Sequence, residues 1–134
     1  RMGAFAKLQI VELPESRMPQ NPSDAQIAAC IRQEGEAILN KIPAQSFVAA
    51  MCIEGKMLSS EELAETLTRV QNQGNSQLSF IIGGSWGLDA AVKARADLRL
   101  SMSRMTFPHQ LARVMLLEQI YRACSINHNT KYHK

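Results

Sequence analysis

The chain has 134 residues, enough for one domain with a single core and too few for two. With 46% hydrophobic and 20% charged residues it has the composition of an ordinary soluble globular protein, and no apolar run approaches the ~20 residues needed to cross a bilayer. The net charge of +3 hides an asymmetry: residues 1–84 carry 7 basic and 9 acidic side chains, whereas residues 85–134 carry 8 basic and 3 acidic ones.

Basic charge gathered in one half suits a polyanionic partner, although on charge alone a plain solvated helix face is the preferred reading. The first seven residues hold neither a signal-peptide apolar stretch nor a serine or threonine placed for myristoylation. Cys30, Cys52 and Cys124 are odd in number and form no CxxC pair. Free buried thiols in a reducing cytosol are the expected state, and with them a cytoplasmic location.

Taken in order, residues 7–13 alternate polar and apolar side chains and stop at Pro14, which predicts a strand with one buried face. Residues 14–22 contain three prolines and read as a loop. Ser23 and Asp24 open an amphipathic helix with Ile27, Ile31 and Ile38 on one stripe, closed by Pro43. Residues 46–53 are nearly all apolar, the pattern of a strand covered on both faces in a parallel sheet. Glu54-Gly55-Lys56 is expected to turn the chain. Ser59 and Glu62 have the spacing of a capping box, opening a helix with Leu63, Leu67 and Val70 inward, and Gly74 is placed to end it in a left-handed cap.

Residues 78–82 predict a second buried strand running into Gly83-Gly84-Ser85-Trp86-Gly87. A short helix over 88–96 and a short strand over 98–101 follow. The last helix is expected to start near Thr106, capped by its hydroxyl with Pro108 in the first turn, and to run to about Ile126. Strands and helices in alternation predict an α/β fold, a mostly parallel sheet with helices on both faces, over a single domain spanning 1–134.

Glycines after a buried strand allow a ligand to approach the backbone at the carboxyl ends of the strands. The spacing is G-G-x-x-G, so a dinucleotide fingerprint is not supported, and a plain tight turn explains the glycines as well. Met51, Gly84 and residues 102–107 all fall at or just past expected carboxyl ends. Apolar side chains with backbone amides and carbonyls suit a nucleoside carrying a thioether or sulfonium better than a triphosphate. Taken singly, Met51, Met102 and Met105 read as core filling. In the last helix Glu118 and Arg122 can pair at i,i+4 within an otherwise apolar stripe. No Cys, Asp or Glu stands at ligand spacing from His109 or His133, so no metal site is assigned. No membrane partner is expected.

Five stretches together resemble one family. They are Ile53-x-Gly55-Lys56, Ile82-Gly83-Gly84-x-x-Gly87, Leu100-Ser101-x-Ser103-x-x-Thr106-x-Pro108-His109, Glu118-Gln119-x-Tyr121-Arg122 and the terminal Tyr132-His133-Lys134. The chain is similar along its whole length to the bacterial ribosomal RNA large subunit methyltransferase H family of the SPOUT superfamily. That resemblance implies methylation of N3 of a pseudouridine in 23S ribosomal RNA with S-adenosylmethionine. It also implies a SPOUT-type α/β knot, a C-terminal trefoil knot that departs from the usual avoidance of threaded loops, and a homodimer acting on the ribosome.

Carried over residue by residue, the cofactor contacts fall on Met51, Gly84, Met102, Ser103, Arg104, Met105, Thr106 and Phe107, with Gly83 their neighbour in the same turn. Glu118, Arg122 and His133 are the available candidates for catalytic roles, and Arg122, Tyr132, His133 and Lys134 for RNA contacts. Glu118 and His133 are the two candidates for the base that takes the N3 proton. Cys52 departs from a common aspartate, and Trp86 from a smaller or polar residue. The resemblance also implies a strand and a helix ahead of Arg1, roughly 15–25 residues by usual element lengths. Two other classes compete with the enzyme: a non-catalytic α/β module that binds RNA or the ribosome, and a nucleotide-dependent doubly wound enzyme that the missing phosphate fingerprint disfavours.

Overall fold

The short apolar stretches of this chain assemble into a three-stranded parallel sheet because each lies between helices that cover it. The computed structural model describes residues 7–129. Its elements are α1 (Asp24–Lys41), β1 (Phe47–Met57), α2 (Ser60–Asn72), β2 (Leu78–Ile81), α3 (Ala90–Arg95), β3 (Leu98–Ser101) and α4 (His109–Asn127). The strand order is β2-β1-β3, with both pairings parallel, so β1 is central.

Burial follows the two-residue period of the strands. Met51, Leu78, Phe80, Leu98 and Leu100 face α2 and α4, meeting Leu63, Leu67 and Ala123. Val48 and Ile81 face the other way, towards Val92 of α3 and Ile38 and Leu39 of α1. Val48, Ala49 and Ala50 are closed off completely, as the continuous apolar run requires of a strand covered twice.

The helix ends follow local chemistry. Ser59 accepts from the Glu62 amide at 3.0 Å while Glu62 accepts from the Ser59 amide at 2.8 Å, the reciprocal box that opens α2. Ser23 and Gln26 make the same exchange at α1. Gly74, at φ +91°, ends α2, and the Asn75 amide reaches the Val70 carbonyl at 3.2 Å. At the amino edge of the sheet, Asp97 holds the start of β1 from both sides. Its carboxylate accepts from the Val48 amide at 2.9 Å, and its own amide donates to the Val48 carbonyl at 2.8 Å. Asp97→Ala leaves that buried amide unsatisfied and is expected to cost about 1–3 kcal/mol of stability, measured by urea unfolding against the parent.

Three expectations are corrected. Residues 7–13 form no strand, and Leu8, Ile10 and Val11 are exposed. Alternation marks a face suited to burial, but a strand exists only through a ladder, and this segment pairs with none of the three strands. Instead it leads to contacts with helices: Glu12 pairs with Arg113, and the Ser16 amide donates to Glu34 Oε2 at 3.2 Å. Secondly, Glu54-Gly55-Lys56 does not turn the chain. β1 bulges after Met51 and then resumes its pairing, with Lys56 opposite Leu100 and Met57 opposite Ser101. Thirdly, α4 starts after Pro108, and Thr106 does not cap it. Ser103 organises that loop instead, its Oγ accepting from the Met105 amide at 3.0 Å.

Candidate active site

The register of the sheet brings three loops to one edge. Ala50 stands opposite Ile81, and Met51 stands opposite Leu100. One step further, β2 gives way to Ile82-Gly83-Gly84, and β3 leads through Ser101 into Met102. Neighbouring strands lie about 4.8 Å apart, so the ends of β2 and β3 flank Met51 within about 10 Å of each other. The chain crosses from one side of β1 to the other between these two strands, and such crossing points are where open α/β sheets take their ligands.

The glycine turn has a defined shape. Gly84 and Gly87 form an isolated antiparallel bridge, the Gly87 amide donating to the Gly84 carbonyl at 3.1 Å. Gly87 sits at φ +89°, which a side chain would strain. A β-carbon on Gly83 would fall 3.0 Å from Leu88 and 3.1 Å from the Gly87 carbonyl carbon, so the turn is packed tightly against itself. One on Gly84 would meet the Glu34 carboxylate, with Oε1 at 3.1 Å.

Residues 102–107 fold into a compact turn. Ser101 Oγ donates to the Ser103 carbonyl at 2.9 Å, and Ser103 Oγ receives the Met105 amide. Met102, Ser103 and Phe107 are half-buried, whereas Arg104, Met105 and Thr106 are exposed, Met105 at 71%. The six residues thus divide into an inward set and a solvent-facing set, which the sequence alone did not separate.

Beside Met51, the bulge of β1 brings Cys52 and Glu54 near α3 and β3. Lys93 pairs with Glu54, and this donation holds the Glu54 carboxyl below its ordinary range. Burial, followed by the Glu54 charge, pushes the Cys52 thiol up. Gly55 is what lets the bulge close: a β-carbon there would lie 2.8 Å from backbone atoms of Arg99 and Leu100. Backbone cannot swing aside as a side-chain tip can. Gly55→Ala is expected to cost about 1–3 kcal/mol by overpacking, read as a lowered denaturation midpoint.

Glu118 and Arg122 pair as the sequence suggests, with Arg122 Nε and Nη2 donating to Glu118 Oε1 at 2.8 and 2.7 Å. The next residue, Gln119, accepts from Ser60 Oγ at 2.6 Å. Ser60 opens α2, directly after the carboxyl end of β1, so the pair stands at the level of the candidate edge. Tyr132, His133 and Lys134 lie outside the described residues. Among the described residues no group of three or more His, Cys, Asp or Glu could hold a metal ion.

Glu34 was missed by the sequence reading, although its signal was present. It falls seven residues after Ile27 and four before Ile38, a carboxylate within the apolar stripe of α1. The structure directs that carboxylate at Gly84. The edge thus offers apolar side chains from Met51, Met102 and Phe107, an accessible glycine backbone, and a carboxylate able to accept from hydroxyl groups. That set suits a nucleoside bearing a thioether or sulfonium better than a triphosphate.

Comparison with known proteins places the chain beside one family. The family model described as "Predicted SPOUT methyltransferase" matches residues 1–133. The protein "Ribosomal RNA large subunit methyltransferase H" of Clostridioides difficile (strain 630) is 52% identical over 134 residues, covering 100% of this chain and 84% of that relative. The proteins of the same name from Bacillus thuringiensis (strain Al Hakam) and Bacillus cereus (strain B4264) are each 47% identical over the same 134 residues, with the same coverage.

Proposed function

The chain belongs to the SPOUT methyltransferase family, and from that premise we propose that it methylates N3 of a pseudouridine in 23S ribosomal RNA, using S-adenosylmethionine, as a knotted homodimer. The observation that carries this reading is the meeting of Met51, the Gly83-Gly84 turn and residues 102–107 at one edge of the sheet, in a chain that matches large-subunit ribosomal RNA methyltransferases along its whole length. When bound, S-adenosylmethionine supplies an electrophilic methyl group on a sulfonium. The chain has to bind that group, hold the acceptor ring nitrogen in line with it, and remove the N3 proton.

Gly83 and Gly84 give the cofactor close access to the backbone, and the half-buried Met51, Met102 and Phe107 exclude water from one side of it. Orientation of the two reactants supplies much of the rate. A base adds about 10²–10⁴-fold. Glu118, held by Arg122, and His133 are the proposed proton acceptors, and Arg122, Tyr132, His133 and Lys134 are the proposed RNA contacts.

The test is transfer of labelled methyl from S-adenosylmethionine to unmethylated ribosomes and to naked ribosomal RNA. Transfer to the assembled ribosome is expected. Saturable ribosome binding without transfer, and without binding of S-adenosylmethionine, would leave the non-catalytic module as the better reading.

The dimer is supported by α4, whose apolar residues surround the helix. Leu116, Ile120 and Ala123 are buried within the subunit, yet Leu111 and Val114 remain 47% and 63% exposed. A second copy of the same helix about a two-fold axis would cover them. A dimeric mass is expected in sedimentation equilibrium at micromolar concentration, and Val114→Glu is expected to shift the protein towards monomer.

A further inference from the structure

Trp86 is the one tryptophan of the chain. Among the described residues it is also the one exposed side chain of the Phe, Tyr and Trp type, at 45%. It occupies the tip of the glycine turn, between Gly84 and Gly87, whose bridge and hydrogen bond fix the loop ends. Leu88 packs beneath Gly83 and joins the turn to the core face below α3. An indole is thus carried outward on a short rigid support, two residues from the glycine proposed to meet the cofactor.

We infer that Trp86 is a positioning residue that stacks on an unpaired nucleobase of the RNA substrate. This rests on the ribosomal RNA methyltransferase reading of the same edge. The physical need is specific. N3 lies on the pairing edge of its ring, so the target must be unpaired before it can react. An unpaired base has no pairing partner to hold its plane, and in-line transfer fails when that plane tilts. Hydrogen bonds to a base edge constrain the plane weakly, whereas a flat aromatic surface constrains it directly. An indole loses only two side-chain torsions when it does so. The second half of the chain, where Trp86 lies, is also the basic half, which suits a polyanion reaching this turn.

The adenine of a bound cofactor would be another flat base near this turn, so the test separates the two. Methyl transfer to ribosomes and S-adenosylhomocysteine binding are measured for the parent, Trp86→Ala and Trp86→Phe, with dimeric mass and melting temperature as controls. Trp86→Ala is expected to lower kcat/KM for ribosomes about ten-fold, within the range known for loss of one base–aromatic stack. Trp86→Phe is expected to recover most of that loss, and cofactor affinity to stay within two-fold in both variants. Because no other tryptophan contributes, emission from the parent is also expected to be quenched by an oligoribonucleotide carrying the unpaired target loop, and to change little with S-adenosylhomocysteine alone.

Parent-level kcat/KM in Trp86→Ala overturns the inference. A comparable loss of cofactor affinity assigns the indole to the cofactor pocket, and loss of the dimer assigns it to the subunit interface; either result overturns the inference too. Should the parent transfer no methyl group, the methyltransferase reading fails by itself, and the quenching decides the stacking: RNA-dependent quenching upholds it and its absence rejects it.

Discussion

Replacing Gly84 with valine is expected to abolish S-adenosylmethionine binding while the protein stays folded. Both halves of that expectation come from the space around the residue. The backbone of Gly84 is not in the left-handed region, so a side chain costs no backbone strain there. A β-carbon would meet the tip of Glu34 at 3.1 Å, and the end of a flexible side chain can move by the few tenths of an ångström required. The bridge to Gly87 uses backbone atoms and survives the change. The branched methyl groups would then occupy the approach to the turn, where the cofactor is proposed to touch the backbone. Calorimetric titration should show at least a hundred-fold weaker binding, with a melting temperature close to that of the parent, and Gly84→Ala should fall between the two. Normal binding to folded Gly84→Val protein would move the proposed pocket away from this turn.

Deleting residues 132–134 is expected to abolish methylation of ribosomes while leaving cofactor affinity and the dimer nearly unchanged. A short enzyme needs basic groups to hold a structured RNA, since phosphate contacts position the substrate and aromatic or cationic groups engage exposed bases. The proposed contacts from Tyr132, His133 and Lys134 would complete what Arg122 begins at the level of the sheet edge. Full-rate methylation by the truncated protein would remove the tail from the mechanism. Loss of cofactor binding instead would make the tail a support for the pocket. His133→Ala then addresses the base: if Glu118 takes the N3 proton, that variant keeps most of kcat, and if His133 takes it, kcat falls by about 10²–10⁴-fold.

The parts of this protein that depend on local chemistry were legible in the sequence. Ser59 and Glu62 form their reciprocal cap and Gly74 ends its helix left-handed, because each outcome depends on groups within a few residues of one another. The same holds for the doubly covered strand at Val48–Ala50, where an uninterrupted apolar run has no solvent-facing alternative. The family motifs were legible for a similar reason. Glycine spacing and the Glu118–Arg122 interval are properties of the linear chain.

What the tertiary structure decided depends on partners distant in sequence. Residues 7–13 have the alternation of a strand but lie against no ladder, so their pattern remains unused. The stretch at Glu54-Gly55-Lys56 has the composition of a turn, yet β3, more than forty residues later, offers Leu100 and Ser101 for pairing and draws it back into β1. Gly55 permits this because its missing side chain leaves room for the Arg99 and Leu100 backbone. Glu34 is likewise an ordinary helical glutamate until folding carries Gly84 to within contact of it. Periodicity and capping measure a residue against its chain neighbours. Hydrogen-bonded ladders and close backbone approaches measure it against residues that only the fold brings near, and the candidate site is built from those.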